Sequence, residues 1–497
     1  MNITTLYLKS LKEDALSAGL ITELPDITAE ERRILGQAAT LAGRKDNVKN
    51  EAVTSIFSAL PVETKKGPVV QGETRYFPFE AMTLGDSFFP GEKPSDGLNV
   101  LKAAFEKEFK MLSGTDDVVA ETLLHLLHKY ATVIPSQVAP EISLYDYAKA
   151  KAAIAVCLAK QLENNEQPFL LIGGDMSGIQ DFIEDIISKN ASKNLKGRSF
   201  YLHLLTDGIV RRLLKDIGLT QANIVYASGG SFYVLAPNTQ MVKESVTKLE
   251  ETVTTALFNE HKIQLSILFG CLPMTENQLH GEALGEIWSG LQDKLNGRKK
   301  SKFNHIIADK FEELFMPSEV GGETLRDAIT GEEILDCEDI YRIEAAVPKP
   351  IDKKDCKSIL SGEDDSPIVK KSTQQQIIAG FFLKSEMYRV VGCKDLTLKL
   401  STDKFQADRK LRLPGVNESS YILDNESQFG HGTTGYIHQK INVNSFDFLK
   451  NGPEGSYSKG FEFYGGNGFP KIELEDEEQD CPKTFSEMAG MPDTDRV

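Results

Sequence analysis

Apolar residues recur at three- and four-residue spacing over residues 1–60 and again over residues 99–163, and this period predicts amphipathic helices. Between the two stretches, Pro and Gly predict a loop with one short strand near RYFPF. Thr28 is expected to cap a helix, because Glu31 three residues later completes a capping box. The run ENNEQP then breaks the pattern, so a helical N-terminal domain is predicted to span residues 1–163.

The next stretch, residues 164–275, alternates between strand and helix patterns in the order β-α-β-β-α-β. Continuous apolar runs predict four strands, which are PFLLIGGD, NIVYA, SFYVLAP and QLSILFGCL. The segments between them predict helices, namely SGIQDFIEDIISK with Ser177 as its N-cap, residues 199–218 and residues 241–261. This order is that of the split βαβ arrangement. The predicted fold class is therefore α+β, with one ferredoxin-like domain that resembles a polymerase or cyclase palm.

The rest of the chain is less regular. Residues 276–375 begin with a helical pattern that carries the basic run KLNGRKKSKFNH and end in a loop-rich stretch. Residues 376–497 begin with a helix and a strand and then lose any clear period. Two further regions are therefore predicted after the palm-like domain.

Composition narrows the class of protein. Of the 497 residues, 40% are hydrophobic and 26% are charged, as in ordinary globular proteins. A net charge of −17 argues against a coat for nucleic acid, although it leaves local basic grooves open. The 6 cysteines include no CxxC pair, which argues against a disulfide scaffold or a zinc ribbon. The sequence shows no signal peptide and no apolar run of ~20 residues, so a cytoplasmic protein without a membrane partner is expected.

Several catalytic motifs are missing from the sequence. None of the 8 histidines is followed by Asp, and there is no HExxH motif, Walker A loop or GxSxG elbow. His125 and His128 are three residues apart on one predicted helix and could face one metal ion. A helix with one core histidine and one surface histidine is the plainer interpretation. We therefore assign no catalytic residue and no metal ligand from the sequence.

Candidate nucleotide-binding residues cluster around the first predicted strand and the central hairpin. Asp175 ends that strand, and Ser177 and Gly178 open the next helix, whose N-terminus would favour a phosphate. The hairpin tip, where glycines would let a ligand approach the backbone, is formed by Ser228, Gly229 and Gly230. The alternative is a structural palm whose glycines only serve tight turns, and the spacing leaves both interpretations open.

Two basic clusters lie near these residues in the sequence. The residues that could contact RNA or a triphosphate are Lys193, Lys196, Arg198, Arg298, Lys299 and Lys300. A solvated surface without such contacts is the alternative. A palm polymerase or cyclase normally holds two divalent metal ions with neighbouring carboxylates, whereas the hairpin tip SGGS has no acid. This palm is therefore not expected to perform two-metal chemistry alone, but it could be the non-catalytic half of a paired site.

The segments GGDMSGIQDFIEDIISKNASKNLKGRSFYLHLL and YASGGSFYVLAPN resemble the first palm of the large subunit of type III CRISPR effector complexes, especially of the Csm type. Flanking segments such as RYFPFEAMTL, FEELFMPSEVGGE and GFEFYGGNGFP resemble the same family, so the resemblance covers almost the whole chain. It implies a subunit at the base of a crRNA-guided complex. Pairing with target RNA would switch on conversion of ATP into cyclic oligoadenylates or a related messenger.

The resemblance also implies the ligands and partners. ATP is the implied substrate and would lie between two palms, and Mg²⁺ or Mn²⁺ would be needed only if a second palm is supplied. The implied partners are the crRNA-bearing subunits, the small subunits, the crRNA and the target RNA. Docking against the crRNA-bearing subunit is expected at the foot of the complex.

The chain departs from the family in two internal regions. Many relatives carry an N-terminal HD nuclease, but this chain reads Asp146-Tyr147 where they have Asp-His, so residues 1–163 are expected to be a reduced, HD-derived domain. TLRDAITGEE stands where a CxxC is expected, which leaves only Cys337 and Cys356 nearby. Residues 276–375 are therefore expected to be a degenerate zinc-finger insert without structural zinc.

A third departure lies at the end of the sequence. Val497 falls about where the second palm, with its GGDD turn, begins in relatives, so residues 376–497 are expected to be a linker and an incomplete start of that palm. We favour a longer or split subunit completed by a second chain that carries the missing palm. The alternative is a non-catalytic scaffold subunit of the same complex, without synthase or DNase activity.

Overall fold

The structure of this protein is a computed structural model. It describes residues 2–45, 51–59, 61–62, 70–71, 73–82, 88–112, 114–161, 165–186, 191–315, 325–334, 340–344, 347–352, 358–359, 366–382, 387–390, 398–400, 409–423, 436–440, 461–463, 471–472 and 481–482. The helices are α1 (Ile3–Ser17), α2 (Ala29–Leu41), α3 (Leu98–Phe109), α4 (Asp116–Ala131), α5 (Leu144–Ala159), α6 (Ile179–Glu184), α7 (Ala191–Ile217), α8 (Gln240–His261), α9 (Gly281–Arg298), α10 (Phe311–Phe315) and α11 (Lys371–Phe382).

The described strands form two four-stranded sheets, of which the one within residues 169–274 is called the main sheet, and several smaller sheets. The first 275 residues contain β1 (Pro61–Val62), β2 (Val70–Gln71), β3 (Phe169–Ser177), β4 (Ile224–Ser228), β5 (Ser231–Pro237) and β6 (Ser266–Met274). The later residues contain β7 (Leu325–Arg326), β8 (Glu333–Ile334), β9 (Ile340–Glu344), β10 (Val347–Pro350), β11 (Ile368–Lys370), β12 (Met387–Val390), β13 (Leu398–Leu400), β14 (Arg409–Leu413), β15 (Asn417–Leu423), β16 (Tyr436–Lys440), β17 (Phe461–Phe463), β18 (Lys471–Ile472) and β19 (Cys481–Pro482). The predicted α+β class is confirmed.

The N-terminal region is helical, with two differences from the pattern-based prediction. The described residues of the stretch 1–60 contain two α-helices, and after α2 the helical structure among them is a short 3₁₀ turn at Ile56–Ala59. The strand predicted near RYFPF is wrong, because Tyr76 makes isolated bridges with Thr54 and Gly91 instead. The capping box is confirmed: the Glu31 amide donates to Thr28 Oγ1, and the Thr28 amide donates to the Glu31 carboxylate.

The main sheet has four strands in the order β4-β5-β3-β6, and every neighbouring pair is antiparallel. The strands and helices follow one another as β3, α6 and α7, then β4, β5, α8 and β6. The central strand β3 pairs with β5 from Phe169 to Asp175 and with β6 from Phe169 to Ser177. Because side chains alternate between the two faces of a strand, β3 contributes to two separate cores.

Each face of the sheet is covered. On one face, Leu170 and Ile172 pack in a core with the buried positions of α7 and α8. On the other face, Phe169 and Leu171 join a core that includes the N-terminal helices and α9. Asn223 ties the N-terminal region to the sheet, since its buried Nδ2 donates to the carbonyls of Leu235 in β5, at 2.9 Å, and of Ala153 in α5, at 3.3 Å.

Residues 325–334, which include most of the segment TLRDAITGEE, fold as a hairpin of β7 and β8 around a buried aspartate. Asp327 Oδ1 accepts the amides of Ile329 and Thr330, at 2.9 and 3.0 Å, and Oδ2 accepts the Lys370 amide from β11, at 2.7 Å. Three such bonds satisfy a carboxylate that is fully enclosed, as a buried charge requires. The two cysteines expected near this insert, Cys337 and Cys356, lie outside the described residues.

Among the described residues, no helix has the length and apolar character that crossing a membrane would require.

A buried histidine lies in the core between α6, α7 and α8. His261 Nε2 and the Tyr201 hydroxyl are hydrogen-bonded at 2.9 Å, and the Phe182 ring packs edge-on against the imidazole. Burial lowers the pKa of His261 from 6.5 to about 4, and the nearby Arg198 guanidinium acts in the same direction. The imidazole is therefore neutral in the folded protein at pH values where an unfolded chain already binds a proton.

This difference predicts a loss of stability in mild acid. As the pH falls from 6.5 towards 4, the unfolded chain takes up a proton at this histidine and the folded chain does not, so the free energy of unfolding falls by up to about 3 kcal/mol. His261→Gln keeps a hydrogen-bonding group without the titration, and we expect a flatter pH dependence of the urea midpoint. The exposed His280 provides the control: His280→Gln should follow the wild-type curve. Equal curves for wild type and His261→Gln would contradict the assignment.

Candidate functional site

The candidate site is built around Asp175, near the end of β3. Asp175 lies opposite Ser231 of β5, whose hydroxyl donates to Asp175 Oδ1 at 2.8 Å. Lys299 Nζ lies 2.6 Å from Asp175 Oδ2. The side chains of Asp175 and Lys299 are 20% and 40% exposed, so the pair is open to solvent. The structure thus joins one candidate nucleotide residue and one candidate phosphate contact that are 124 positions apart in the sequence.

Lys299 reaches Asp175 because α9 lies close against the sheet. A Cβ added at Gly173 in β3 or at Gly270 in β6 would lie 2.9 Å from a methyl carbon of Leu291. Leu295, one turn later, fills the same gap. Two residues after Gly173 on the same face of β3 comes Asp175, and one residue after α9 comes Lys299. The first glycine of the GGD motif, Gly173, therefore leaves room for α9 to pack against the sheet.

An ion pair fixes the C-terminal end of α9. Arg298 Nη1 lies 3.0 Å from Glu250 Oε2, and the Glu250 side chain is 4% exposed. Glu250 accepts the amide of Phe269 at 3.2 Å, and Arg298 donates to the carbonyl of the same residue. Phe269 lies in β6 at the edge of the sheet, where unpaired backbone groups need partners. The Arg298–Glu250 pair thus bonds to edge-strand groups that a fifth strand would otherwise satisfy, so Arg298 has a structural role, and its contact with RNA stays a prediction.

Glu250 and Ser231 were missed by the sequence analysis. Glu250 follows Val246 by one turn and lies between Leu249 and Val253, so a carboxylate on the apolar face of a predicted helix was the available signal. Ser231 had no comparable signal, because its role depends on the pairing of two strands that are 56 residues apart at this position.

The hairpin tip forms a tight turn beside Asp175. Gly229 and Gly230 have φ values of +62° and +84°, which a two-residue turn of the I′ type requires at both positions. A Cβ at Gly230 would overlap Ile179, whereas a Cβ at Gly229 would meet no atom within 4 Å. Gly230 therefore serves internal packing. Gly229 and the exposed Ser228 border open space, which is where a ligand could approach.

The prediction that Ser177 caps a helix is wrong. Ser177 is the last residue of β3, where it pairs with Ser266 of β6. Gly178 makes the turn with φ +92°, and the helix that follows, α6, is only six residues long. The strand ladder therefore extends two residues past Asp175 and displaces the helix start that local pattern had indicated. Gly178 also packs tightly, because an added Cβ would lie 1.9 Å from the carbonyl oxygen of Gln264.

The residues of the first basic cluster differ in their exposure to solvent. Lys196 is exposed on α7, and the Lys193 side chain lies outside the described residues. Arg198 is 1% exposed, donates to the Asp185 carbonyl at 2.6 Å, and stacks 4.3 Å from the Phe182 ring centroid. A guanidinium enclosed in this way supports the packing of α6 on α7. The burial of Arg198 therefore argues against the contact with RNA that the sequence suggested. In the second cluster, Lys300 is exposed.

Asp146, which precedes Tyr147 at the start of α5, makes a structural contact. Asp146 accepts the Ser143 hydroxyl at 2.7 Å at the start of α5. Five residues later in α5, the buried Lys151 lies 2.8 Å from Asp14 of α1. Burial raises the pKa of Asp14 to about 6, although the Lys151 ammonium opposes this shift. These residues form a buried ion pair between two helices and show no open metal position.

No set of three or more His, Cys, Asp or Glu side chains within the described part of the chain is arranged to hold a metal ion. Of the two histidines that could have faced one ion, His125 is buried in α4. His128 stacks on Tyr145, with ring centroids 4.5 Å apart. One histidine of this helix is therefore a core residue, and the other is half-buried against an aromatic ring.

Together, the fold and site define an α+β protein whose antiparallel sheet ends in a lysine-paired carboxylate beside a glycine turn. Residues 168–317 match the family model for Csm1 subunit domain B. Over 327 residues the chain is 28% identical to the CRISPR system single-strand-specific deoxyribonuclease Cas10/Csm1 (subtype III-A) of Methanocaldococcus jannaschii, an alignment that covers 56% of this chain and 40% of that protein. A protein of the same description from Mycobacterium tuberculosis is 34% identical over 185 residues, 33% of this chain and 23% of the relative.

Solved structures show a similar fold. The Csm1-Csm4 subcomplex of the type III-A CRISPR-Csm interference complex aligns with a TM-score of 0.55 at 19% identity, over 92% of this chain and 51% of the solved chain. A Csm1-Csm4 cassette in complex with cA4 aligns with a TM-score of 0.51 at 19% identity, over 92% and 50% of the two chains. This chain thus spans about half of those solved chains. The resemblance to the Csm-type large subunit is confirmed.

Two glycines of the site provide a test of these packing assignments. Both Gly178 and Gly229 have positive φ, so alanine strains the backbone at either position by about 1 kcal/mol. At Gly178 the new methyl also overlaps the Gln264 carbonyl, and we expect Gly178→Ala to lower the free energy of unfolding by at least about 2 kcal/mol more than Gly229→Ala. Urea titration of both variants measures the difference. Equal losses would show that the Gln264 contact is not as tight as described.

Proposed function

We propose that this chain supplies the first palm of the large subunit of a type III CRISPR antiviral interference complex. In this role it helps to bind ATP for a cyclic oligoadenylate synthase that target RNA activates. The match of residues 168–317 to Csm1 subunit domain B carries the proposal, because it spans every element of the candidate site, from β3 through α9 to Lys299. The proposed function comes from the similarity to this family, and the proposed position of the site comes from the arrangement of these residues.

The strand order supports a ferredoxin-like palm. An antiparallel sheet in the order β4-β5-β3-β6, connected as β-α-β-β-α-β, is the arrangement expected of a split βαβ unit. The proposed domains are a reduced HD-derived region at 1–163, the palm at 164–275, a degenerate zinc-finger insert at 276–375, and a linker with the start of a second-palm region at 376–497. Within the insert, the Asp327 carboxylate holds a hairpin by its hydrogen bonds to three amides.

ATP is the proposed substrate, and its site is bordered by the exposed end of the sheet. Asp175, Ser228 and Gly229 border the open side, whereas Ser177, Gly178 and Gly230 shape the backbone behind it. Two-metal chemistry requires neighbouring carboxylates, so Mg²⁺ or Mn²⁺ would act only with a second palm. The proposed transferase activity therefore belongs to a pair of palms and not to this sheet alone.

RNA is a proposed partner on the basic surface near the site. Lys196 and Lys300 are exposed, and cations at such positions attract the phosphates of crRNA or target RNA. The crRNA-bearing and small subunits are the proposed protein partners. The Csm1 chains of similar fold were solved with Csm4, which makes a subunit of that type the first candidate for docking. The proposed place of action is the cytoplasm.

The proposed function predicts a product in a reconstituted reaction. The chain is assembled with its crRNA, its partner subunits and a chain that carries a GGDD palm, and is then supplied with target RNA, ATP and Mg²⁺ or Mn²⁺. We expect cyclic oligoadenylates, detected by mass spectrometry, and no product when target RNA is omitted. An assembled complex that makes no oligoadenylate under these conditions would overturn the synthase role and favour the scaffold function.

A bulky side chain at the hairpin tip tests the position of the ATP site. Ser228→Trp should fill the open space beside Gly229 and weaken ATP binding by at least about tenfold, which corresponds to 1.4 kcal/mol. Val225 is exposed on the same strand, so Val225→Trp adds the same side chain away from the turn and should bind ATP as the wild type does. Unchanged ATP binding by Ser228→Trp, measured by calorimetry, would refute this placement.

A further inference from the structure

The candidate site poses an electrostatic problem for an anionic ligand. The chain carries a net charge of −17, and the acid at the end of β3 borders the space where a nucleoside triphosphate would lie. A free carboxylate there would repel the phosphates of the ligand. Like charges that approach each other raise the free energy of binding, and the effect is larger near a protein surface than in bulk water. The structure must therefore neutralise Asp175 if this end of the sheet binds a triphosphate.

We propose that Lys299 is a charge-neutralising residue of the nucleotide site. It pairs with Asp175, removes the repulsion of this carboxylate for a nucleoside triphosphate, and offers its remaining N–H donors to the phosphates. This inference rests on the proposed function and assigns to the ATP site a lysine that the sequence analysis had grouped with RNA contacts. The Arg298–Glu250 pair is the positioning pair that holds Lys299 in place.

Both oxygens of the Asp175 carboxylate are engaged in this arrangement. The Ser231 hydroxyl donates to Oδ1 at 2.8 Å, and Lys299 Nζ lies 2.6 Å from Oδ2. An ammonium group has three N–H donors, and a bond to one carboxylate oxygen uses one of them. The Lys299 side chain is 40% exposed, so its remaining donors can reach a ligand in solvent. The same ammonium can therefore contact Asp175 and a phosphate at once.

The backbone beneath Lys299 is held more firmly than a surface loop would be. Arg298, its neighbour in the chain, bonds to the buried Glu250 and to the Phe269 carbonyl of β6. Lys294 of α9 donates to the Cys271 carbonyl at 2.9 Å, two residues further along the same strand. These contacts fix the end of α9 against the sheet. A lysine that follows directly loses less conformational entropy when it binds a phosphate than a lysine on a mobile segment.

The charge argument predicts an order of affinities for ATP without metal. Asp175→Asn removes a negative charge and leaves the ammonium, so it should bind ATP about two- to fivefold more tightly than the wild type. Lys299→Ala removes the donor and exposes the carboxylate, and a loss of about tenfold is expected. The double variant Asp175→Asn/Lys299→Ala should bind more tightly than Lys299→Ala, because neither charge remains. Lys110→Ala breaks a surface ion pair of similar length, 2.7 Å, with Glu106 of α3, and should match the wild type.

The experiment measures ATP, adenosine and tripolyphosphate binding to the full chain by calorimetry in EDTA, with thermal melting of each variant as a folding control. We expect Lys299→Ala to lose affinity for ATP and tripolyphosphate but not for adenosine. A double variant no tighter than Lys299→Ala, or an Asp175→Asn variant weaker than the wild type, would show that Asp175 contributes directly to binding and would overturn the inference. An equal loss of adenosine affinity would do the same, because it would indicate a structural defect.

The same measurements distinguish a wrong role for Lys299 from a wrong position of the ATP site. If the wild type binds ATP and Lys299→Ala binds it as Lys110→Ala does, Lys299 is not part of the nucleotide site and the proposed function stands. A Lys299→Ala variant that loses target-RNA binding instead would return this lysine to RNA contact. If the wild type binds no ATP, alone or with a second-palm chain, the proposed nucleotide site fails and the inference fails with it.

Discussion

The contact of α9 with the central strands is the constraint on which the site depends. Leu291 and Leu295 enter a gap that exists only because Gly173 and Gly270 have no side chains. Because α9 lies so close to the sheet, its C-terminal end contacts the edge strand β6. There the Arg298–Glu250 pair completes the hydrogen bonds of Phe269. The close packing of α9 therefore has two effects. It buries the apolar face of α9 and satisfies backbone groups that would otherwise be unpaired at a sheet edge.

The same packing determines the electrostatics at the end of the sheet. An acidic chain would ordinarily repel polyanions, but the end of α9 brings a lysine to within 2.6 Å of Asp175. The charge that matters for a ligand is local, because fields between exposed groups are screened beyond about 10 Å in salt. The site is thus compatible with phosphates even though the net charge of −17 argues against a general affinity for nucleic acid.

Features encoded in short stretches of sequence were predicted well. The strand SFYVLAP has the bounds Ser231–Pro237, and α8 begins one residue before its predicted start. The Thr28–Glu31 capping box forms as expected, since all of its atoms belong to four consecutive residues. The α+β class followed from the same local periods. These features depend on interactions between neighbours in the chain, which a single sequence contains in full.

Features that depend on tertiary contacts were predicted poorly. Ser177 has the residue type of a helix cap, but pairing with β6 keeps it in the strand. Arg198 has the residue type of a phosphate contact, but α6 folds over it and encloses the guanidinium. The sequence alone determined the order of strands and helices over residues 164–275 and supplied Asp175, Ser228, Gly229 and Lys299 as candidate residues of the site. Only the tertiary structure decided which of those residues face solvent and which pair with each other, because burial and ion pairing join positions more than a hundred residues apart, as Asp175 and Lys299 show.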